Sequence, residues 1–453
     1  MSYSITLGHR VPVPTDPQTH SPTPTSTPAP SRPPSPWRVR DFRTLFGATT
    51  LSQLGTNVGY VAVPLVAVAA LDAGPGQVGA LATLSTLAFL LIGLPAGAWV
   101  DRMRHRRVLI GADLARALLF ASVPLAWWLD ALTLGQLYAV VLLTGCATVF
   151  FDVGSQSVLP QLVGREALVG ANAAVVSLQA AGNVAGRGLG GGLVQLLTAP
   201  VAVLCTALAH LASALRLLAL RGGTAPRPEA ARTGLRTQIA EGVRHVLGNA
   251  ELRALALTAS LTNLGSQIVN TMLPVLFVRE LHLPASVLGL YWAAGGLGLL
   301  LGARCARPLA ARLGLGRTLA LAGPVLAPAA LLVPLIGRGP WLWLAGAGWA
   351  LAMFKTGMDN VLGVSLRQGM TPDALLGRMN ATFRFMLTGA LAIGAALSGL
   401  LGEAAGVRPT LWTGGALLAV AFLPVLLSPV RRRRTLPGER PTRATPAPPP
   451  RTA

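Results

Sequence analysis

The sequence predicts an all-α membrane protein of twelve transmembrane helices, arranged as two pseudo-symmetric six-helix halves. Three observations predict it. First, 52% of the 453 residues are hydrophobic and only 12% are charged, whereas a soluble domain carries about a quarter charged residues. Second, apolar runs of about 20 residues, enough to cross a bilayer as helices, recur from about residue 46 to residue 429. Backbone in lipid must satisfy its own hydrogen bonds, so these runs are read as helices rather than open strands. Third, the two halves of the chain repeat one another.

The expected spans are 46–70, 76–100, 107–129, 133–157, 168–197 and 199–220 in the first half, and 253–279, 284–308, 317–336, 340–365, 376–403 and 408–429 in the second. They divide the chain into a disordered tail (1–41), an N-terminal half (42–220), a linker (221–252), a C-terminal half (253–430) and a basic disordered tail (431–453). The first tail is rich in Pro, Ser and Thr and has no apolar core of a signal peptide. In the linker, Leu235, Ile239, Val243 and Val246 recur at helical spacing, which predicts an amphipathic helix lying at the membrane surface.

The net charge is +21, and every basic residue but Lys355 is an arginine. On a soluble protein this would suggest nucleic acid. Here the arginines gather in alternate loops: Arg102, Arg104, Arg106 and Arg107; Arg221 to Arg253; Arg304 to Arg317; Arg431 to Arg434. The positive-inside rule accounts for that placement, excludes nucleic acid as the partner, and sets both termini in the cytoplasm of a bacterial inner membrane. The three cysteines, Cys146, Cys205 and Cys305, have no paired spacing, so no disulfide framework, metal site or cofactor is expected. No HExxH, GxSxG or GxxxxGK[ST] is present, which argues against an enzyme or an ATP-driven pump.

The repeat is nearly constant in offset. LSQLGTNV at 51–58 aligns with LTNLGSQI at 261–268, placing Gly55 on Gly265 and Pro64 on Pro274. Arg102 and Arg107 fall on Arg312 and Arg317, and EALVG at 166–170 falls on DALLG at 373–377, which sets Asp152 on Asp359. Duplicated halves of six spans are the pattern of secondary transporters, whose substrate site lies between the halves near the midplane.

GLPAGAWVDRMRHRR at 93–107 resembles the signature of the major facilitator superfamily between its second and third helices, with Gly97, Asp101, Arg102, Arg106 and Arg107 matching. The flanking FRTLFGATTLSQLG, LPQLVGREALVGANA and EGVRHVLGNAELRALAL are similar to the bacterial exporter branch that includes enterobactin-like siderophore exporters and macrolide-efflux proteins. The resemblance covers about residues 40–430. It implies the major facilitator fold, efflux by alternating access, and a gating role for the loop motif. GNVAGRGLGG at 182–191 resembles the drug-antiporter signature, with Gly182, Gly186, Gly190 and Gly191 matching and Arg187 in place of its proline. Thr56 stands where that branch has an aspartate.

Ionisable residues inside a span are read as functional. Asp152 and Asp359 are the proton-coupling candidates. Lys355, one turn from Asp359 and able to pair with it, and Arg187 would tune them or bind an anionic group. Gln53, Asn57, Asn183, Asn263, Gln267 and Asn270 complete the candidate substrate cavity, with interhelical hydrogen bonding as their alternative role. Asp113 and Arg116 are expected to be structural partners of the loop cluster. His210 is expected to stand alone on an outward-packing sixth span. The function expected is proton-coupled export of a small molecule such as a drug, antibiotic or siderophore by a monomer. The alternatives are a nutrient-uptake permease and a transport-dead sensor.

Overall fold

The computed structural model describes residues 35–221 and 235–433, with the side chains at 94, 97, 98, 101, 165, 166, 169, 235, 236, 238 and 373 outside the described set. The expectations for the tails at 1–34 and 434–453, and for 222–234, therefore lie outside the described residues.

Every regular element among the described residues is helical. The N-terminal half is built from α1 (Arg40–Leu65), α2 (Pro75–Arg102), α3 (His105–Trp128), α4 (Leu134–Leu197) and α5 (Ala199–Leu217). The linker helix α6 (Leu235–Gly248) leads to α7 (Ala250–Pro274), α8 (Ala285–Leu313), α9 (Leu315–Leu326), α10 (Pro340–Gly369), α11 (Asp373–Ala405), α12 (Val407–Val420) and α13 (Leu423–Leu427).

Helix α4 makes two spans. It turns at Gly164, whose φ of +70° lies in the left-handed region that favours glycine. In the second half, a 3₁₀ stretch (Ala327–Leu335) extends α9 past Pro324, and α13 extends α12. Each half thus supplies six membrane-crossing segments. Ten segments are both long and apolar enough to cross a membrane among the described residues. The other two, residues 165–197 and α10, have the length but are diluted by Gly, Asn, Arg, Lys and Asp.

The repeat is visible in backbone detail. α1 and α7 both run through a proline, Pro64 and Pro274, into a wide π-helical turn. Leu71 N–H then reaches Val66 O at 3.2 Å, and Leu281 N–H reaches Leu276 O at 2.9 Å. Both turns close on a left-handed residue, Asp72 (φ +49°) and His282 (φ +50°).

Both ends of the described chain lie at the same end of the bundle as α6. Arg433 pairs with Glu251 at the start of α7 (2.6 Å), and Arg221 N–H bonds Asp41 at the start of α1 (3.4 Å). Helix α6 itself packs on α11, with Glu241 paired to Arg378 and His245 Nε2 3.3 Å from Thr371 Oγ1. We call this the linker end and the opposite one the distal end.

Buried apolar side chains form three clusters. One joins both halves at the distal end, through Val61, Leu65 and Val203 on one side and Leu273, Phe277 and Trp292 on the other. The other two belong to single halves near the linker end: Phe42, Leu109, Phe151 and Leu217 in the first, Leu252, Leu319, Leu362 and Phe383 in the second. The core is therefore shared at the distal end and divided towards the linker end.

Two glycine contacts bring the halves together there. A Cβ placed on Gly79 of α2 would stand 2.2 Å from the Cα of Gly399 of α11, and one on Gly191 of α4 would stand 2.8 Å from the Cα of Gly289 of α8. No side chain fits at either crossing, so the backbones touch directly. Polar links cap the same end. Arg279 pairs with Asp72 (3.5 Å) and donates to Ala73 O (3.2 Å), and Gly76 N–H donates to Glu403 (3.2 Å).

Candidate functional site

Two of the cavities among the described residues lie between and within the halves. The larger, about 310 Å³, lies at the junction of the two halves. Its wall from the first half includes Thr56, Tyr60, Phe89, Arg116, Thr148, Asp152 and His210, and the second half adds Gln267, Asn270, Thr271 and Trp292. The smaller, about 170 Å³, lies in the second half beside Asn263, Ser266, Lys355, Asp359, Asn360 and Arg367. An apolar lining with a few convergent polar groups is the usual character of a small-molecule site.

Six of the sequence candidates divide between these cavities, and Gln53, Asn57, Asn183 and Arg187 line neither of the two. Asp152, Gln267 and Asn270 line the larger one; Asn263, Lys355 and Asp359 line the smaller. Lys355 Nζ lies 2.6 Å from Asp359 Oδ2 across one helical turn. Asn270 Oδ1 accepts from the indole N–H of Trp292 at 2.8 Å, while Gln267 donates to Thr271 Oγ1 (3.2 Å). Trp292 in turn meets Tyr60 edge-to-face at 5.3 Å, joining the halves at the cavity roof.

Arg187 does not approach Asp152 through any described bond; its guanidinium lies over the ring of Tyr60, 4.3 Å from the centroid. A cation–π contact of this kind keeps a charge tolerable at membrane depth. Asn57 is buried against the second span of α4: a Cβ on Gly186 would lie 2.6 Å from Asn57 Cβ, and one on Gly182 would lie 3.8 Å from Gln53 Cβ. Gly190 sits in the same way on Val58 and Val61 of α1. Gly182, Gly186 and Gly190 thus seat residues 165–197 on α1, and Gly191 faces α8. Asn183 is half-buried on that helix.

The loop motif spans the end of α2 and the start of α3. Gly97 and Asp101 are helical in α2, and their side chains lie outside the described set. Arg102 and Arg107 are exposed, and Arg106 donates to Leu218 O at the end of α5 (2.6 Å).

One network was not foreseen. Asp113, fully buried in α3, accepts from Arg116, from Ser52 Oγ of α1 (3.3 Å) and from Ser213 Oγ of α5 (2.5 Å), and contacts His210 Nδ1 of α5 (3.2 Å). Arg116 also donates to Ser52 Oγ (3.1 Å) and lies over the Phe151 ring at 4.6 Å. His210 stacks on Phe120, with centroids 5.8 Å apart. The expectation that His210 stands alone on an outward-packing span is therefore corrected. That helix packs against α1 and α3, and His210 is wholly buried between them. Asp113 and Arg116 likewise serve this interior network rather than the loop. The legible signal was the shared i, i+3 spacing of Asp113–Arg116 and His210–Ser213, which sets each pair on one helical face.

Comparison with known proteins follows this geometry. The family model of transmembrane secretion effectors matches residues 31–448. The enterobactin exporter EntS of Citrobacter koseri is 31% identical over 407 residues, covering 87% of this chain and 94% of its own. The enterobactin exporter EntS of Escherichia coli is 30% identical over 410 residues, covering 88% and 94%. Among solved structures, the nucleoside transporter NupG superposes with a TM-score of 0.69 at 12% identity, covering 85% of this chain and 99% of its own. A bacterial homologue of the iron transporter ferroportin in an inward-facing state superposes with a TM-score of 0.68 at 17% identity, covering 86% and 98%. These structures share the fold of two six-helix halves.

Proposed function

Because the chain belongs to the transmembrane secretion effector family of the major facilitator superfamily, and is thus a multi-pass membrane transporter rather than an enzyme, we propose that it exports a small molecule across a bacterial inner membrane, driven by the proton gradient. The observation that carries this reading is the larger cavity. It lies at the seam of the two halves, contains Arg116 and Asp152, and sits below a distal end held shut by backbone contact.

With the linker end in the cytoplasm, this arrangement is an inward-facing state. Substrate enters from the cytoplasm, the halves rock about the seam, and the distal end opens. The relatives export enterobactin, and a catecholate siderophore is the first substrate class to offer this chain. Aromatic rings at Tyr60, Phe89 and Trp292 can stack on such rings, while Arg116 in the same wall suits their oxygen anions. Asp152 or Asp359 carries the coupled proton, Lys355 sets the charge of Asp359, and the loop motif with Asp101 gates the linker end. The transporter works as a monomer.

The test is accumulation of enterobactin, erythromycin and ethidium in an exporter-deficient bacterium with and without the protein. Lower accumulation of one probe that an uncoupler abolishes supports proton-driven export. If Asp152→Asn and Asp359→Asn both leave that export intact, neither acid carries the proton.

A further inference from the structure

We propose that the Asp113–His210 pair is a proton-binding site of the first half, with His210 Nε2 as the atom that takes and releases the proton. The proposal rests on the reading of the chain as a proton-driven exporter, and it adds a site that the two span acids do not supply.

Three observations carry it. The first is the state of the imidazole. Its Nδ1 lies 3.2 Å from Asp113 Oδ1, which orients the ring with Nδ1–H donating to the carboxylate. Its Nε2 is buried and has no hydrogen-bond partner. A neutral ring held in this tautomer presents a bare lone pair at Nε2. Room for that edge comes from Gly55 on α1, where a Cβ would stand 3.3 Å from Nε2.

The second is access. His210 forms part of the wall of the larger cavity, beside Arg116, Thr148 and Asp152. A proton arriving in that cavity adds to the Nε2 lone pair, giving an imidazolium paired with the Asp113 carboxylate. Release reverses the step, and no other bond is made or broken. The charged groups around the ring are Asp113 and Arg116 from α3 and Asp152 from α4; α1 presents only uncharged residues there, Ser52, Gly55 and Gly59. Asp113 and Arg116 nearly cancel, so the proton gained stands against the single carboxylate of Asp152.

The third is the repeat. Gly55 faces Thr206 and His210, and its repeat mate Gly265 faces Gly414 and Leu418 in the same way. His210 thus corresponds to Leu418. At the offset of 210 that sets Arg107 on Arg317, Asp113 corresponds to Gly323, which is packed under Phe422, and Arg116 corresponds to Leu326. The second half builds this crossing with no ionisable residue at these positions, keeping only the hydroxyl of Thr262 where the first half has Ser52. The fold does not need a buried acid, a buried guanidinium and an imidazole here, and each is costly to bury.

The experiment is side-chain nitrogen NMR of the full-length protein in lipid nanodiscs, labelled at histidine. The chain has six histidines. The signal of His210 is assigned by its loss in His210→Gln, and independently in a variant keeping His210 while His9, His20, His105, His245 and His282 are replaced, so the network stays whole. The expected result is a His210 signal that converts from one protonated nitrogen to two between about pH 9 and pH 5. In Asp113→Asn the midpoint falls by at least about one unit, a tenfold loss of proton affinity. A His210 signal that stays in one form across that range overturns the proposal. Uncoupler-sensitive export with a silent His210 sinks this site alone. A titrating His210 in a protein that exports nothing against an uncoupler control keeps the site and sinks the functional reading.

Discussion

Lys355 and Asp359 form a buried ion pair one helical turn apart in α10, with Nζ 2.6 Å from Oδ2 and side-chain exposures of 4% and 19%. Breaking such a pair leaves an uncompensated charge, at a cost of about 3–5 kcal/mol, whereas removing both charges is far cheaper. Asp359→Asn should therefore lower the thermal midpoint of the purified protein more than Lys355→Met with Asp359→Leu does. Equal losses in the single and double variants would show that the charges are not coupled.

Arg187 depends on Tyr60 for its only described polar or ring contact, at 4.3 Å. Tyr60→Phe keeps the ring and should keep expression and probe efflux near the parent level. Tyr60→Leu removes the π face and should cost about 1–2 kcal/mol, read as a lower thermal midpoint and weaker efflux. Indistinguishable Phe and Leu variants would remove the ring from the account.

The distal seam between Gly79 and Gly399 admits no side chain. Gly79→Val should hold the distal end apart. In a background lacking Cys146, Cys205 and Cys305, a cysteine at Leu81 in the wall of the larger cavity should then react faster with an impermeant maleimide added from outside. Unchanged labelling would mean that the seam yields without opening.

The ion pair of Asp72 and Arg279 spans the same end but is 86% and 43% exposed at 3.5 Å. Pairs of this kind contribute about 0–1 kcal/mol. Asp72→Asn should shift the thermal midpoint hardly at all. A large loss would mark the pair as a true latch.

Gly242 in α6 lies so close to α11 that a Cβ would stand 2.8 Å from Arg378 O. Gly242→Leu should lift the linker helix off the bundle and speed tryptic cleavage at Arg244, measured on detergent-solubilised protein. Unaltered cleavage would show that α6 is held by its ends instead.

Much of this architecture was legible from pattern alone. The repeat placed Pro64 on Pro274 and Asp152 on Asp359, and the structure gives both prolines the same π-helical exit. Span lengths followed from apolar runs, because hydropathy reports burial in lipid directly. What stayed hidden was where each cavity ends along a helix and how each helix is rotated about its axis. Asn263 and Gln267 are one turn apart, yet they line different cavities. His210 reads as an isolated polar residue until α5 is turned to set it and Ser213 against Ser52 of α1 and Asp113 of α3. The i, i+3 spacing within each helix was legible, but partners separated by 61 to 100 positions leave no local trace of their pairing in a sequence.

The two membrane-crossing segments that lack the hydropathy of the other ten are residues 165–197 and α10, which carry Arg187, Lys355 and Asp359. As isolated peptides they would partition poorly from the translocon into lipid. Their entry must be assisted: α1 offers Asn57 and Val61 as a seat for the first, and α8 offers closely packed glycines at 298 and 302 for the second. Each half would then be completed in the order of synthesis, with its polar member admitted only after an apolar neighbour is in place. The residues that suit this protein to move a solute also make it dependent on the sequence of its own assembly.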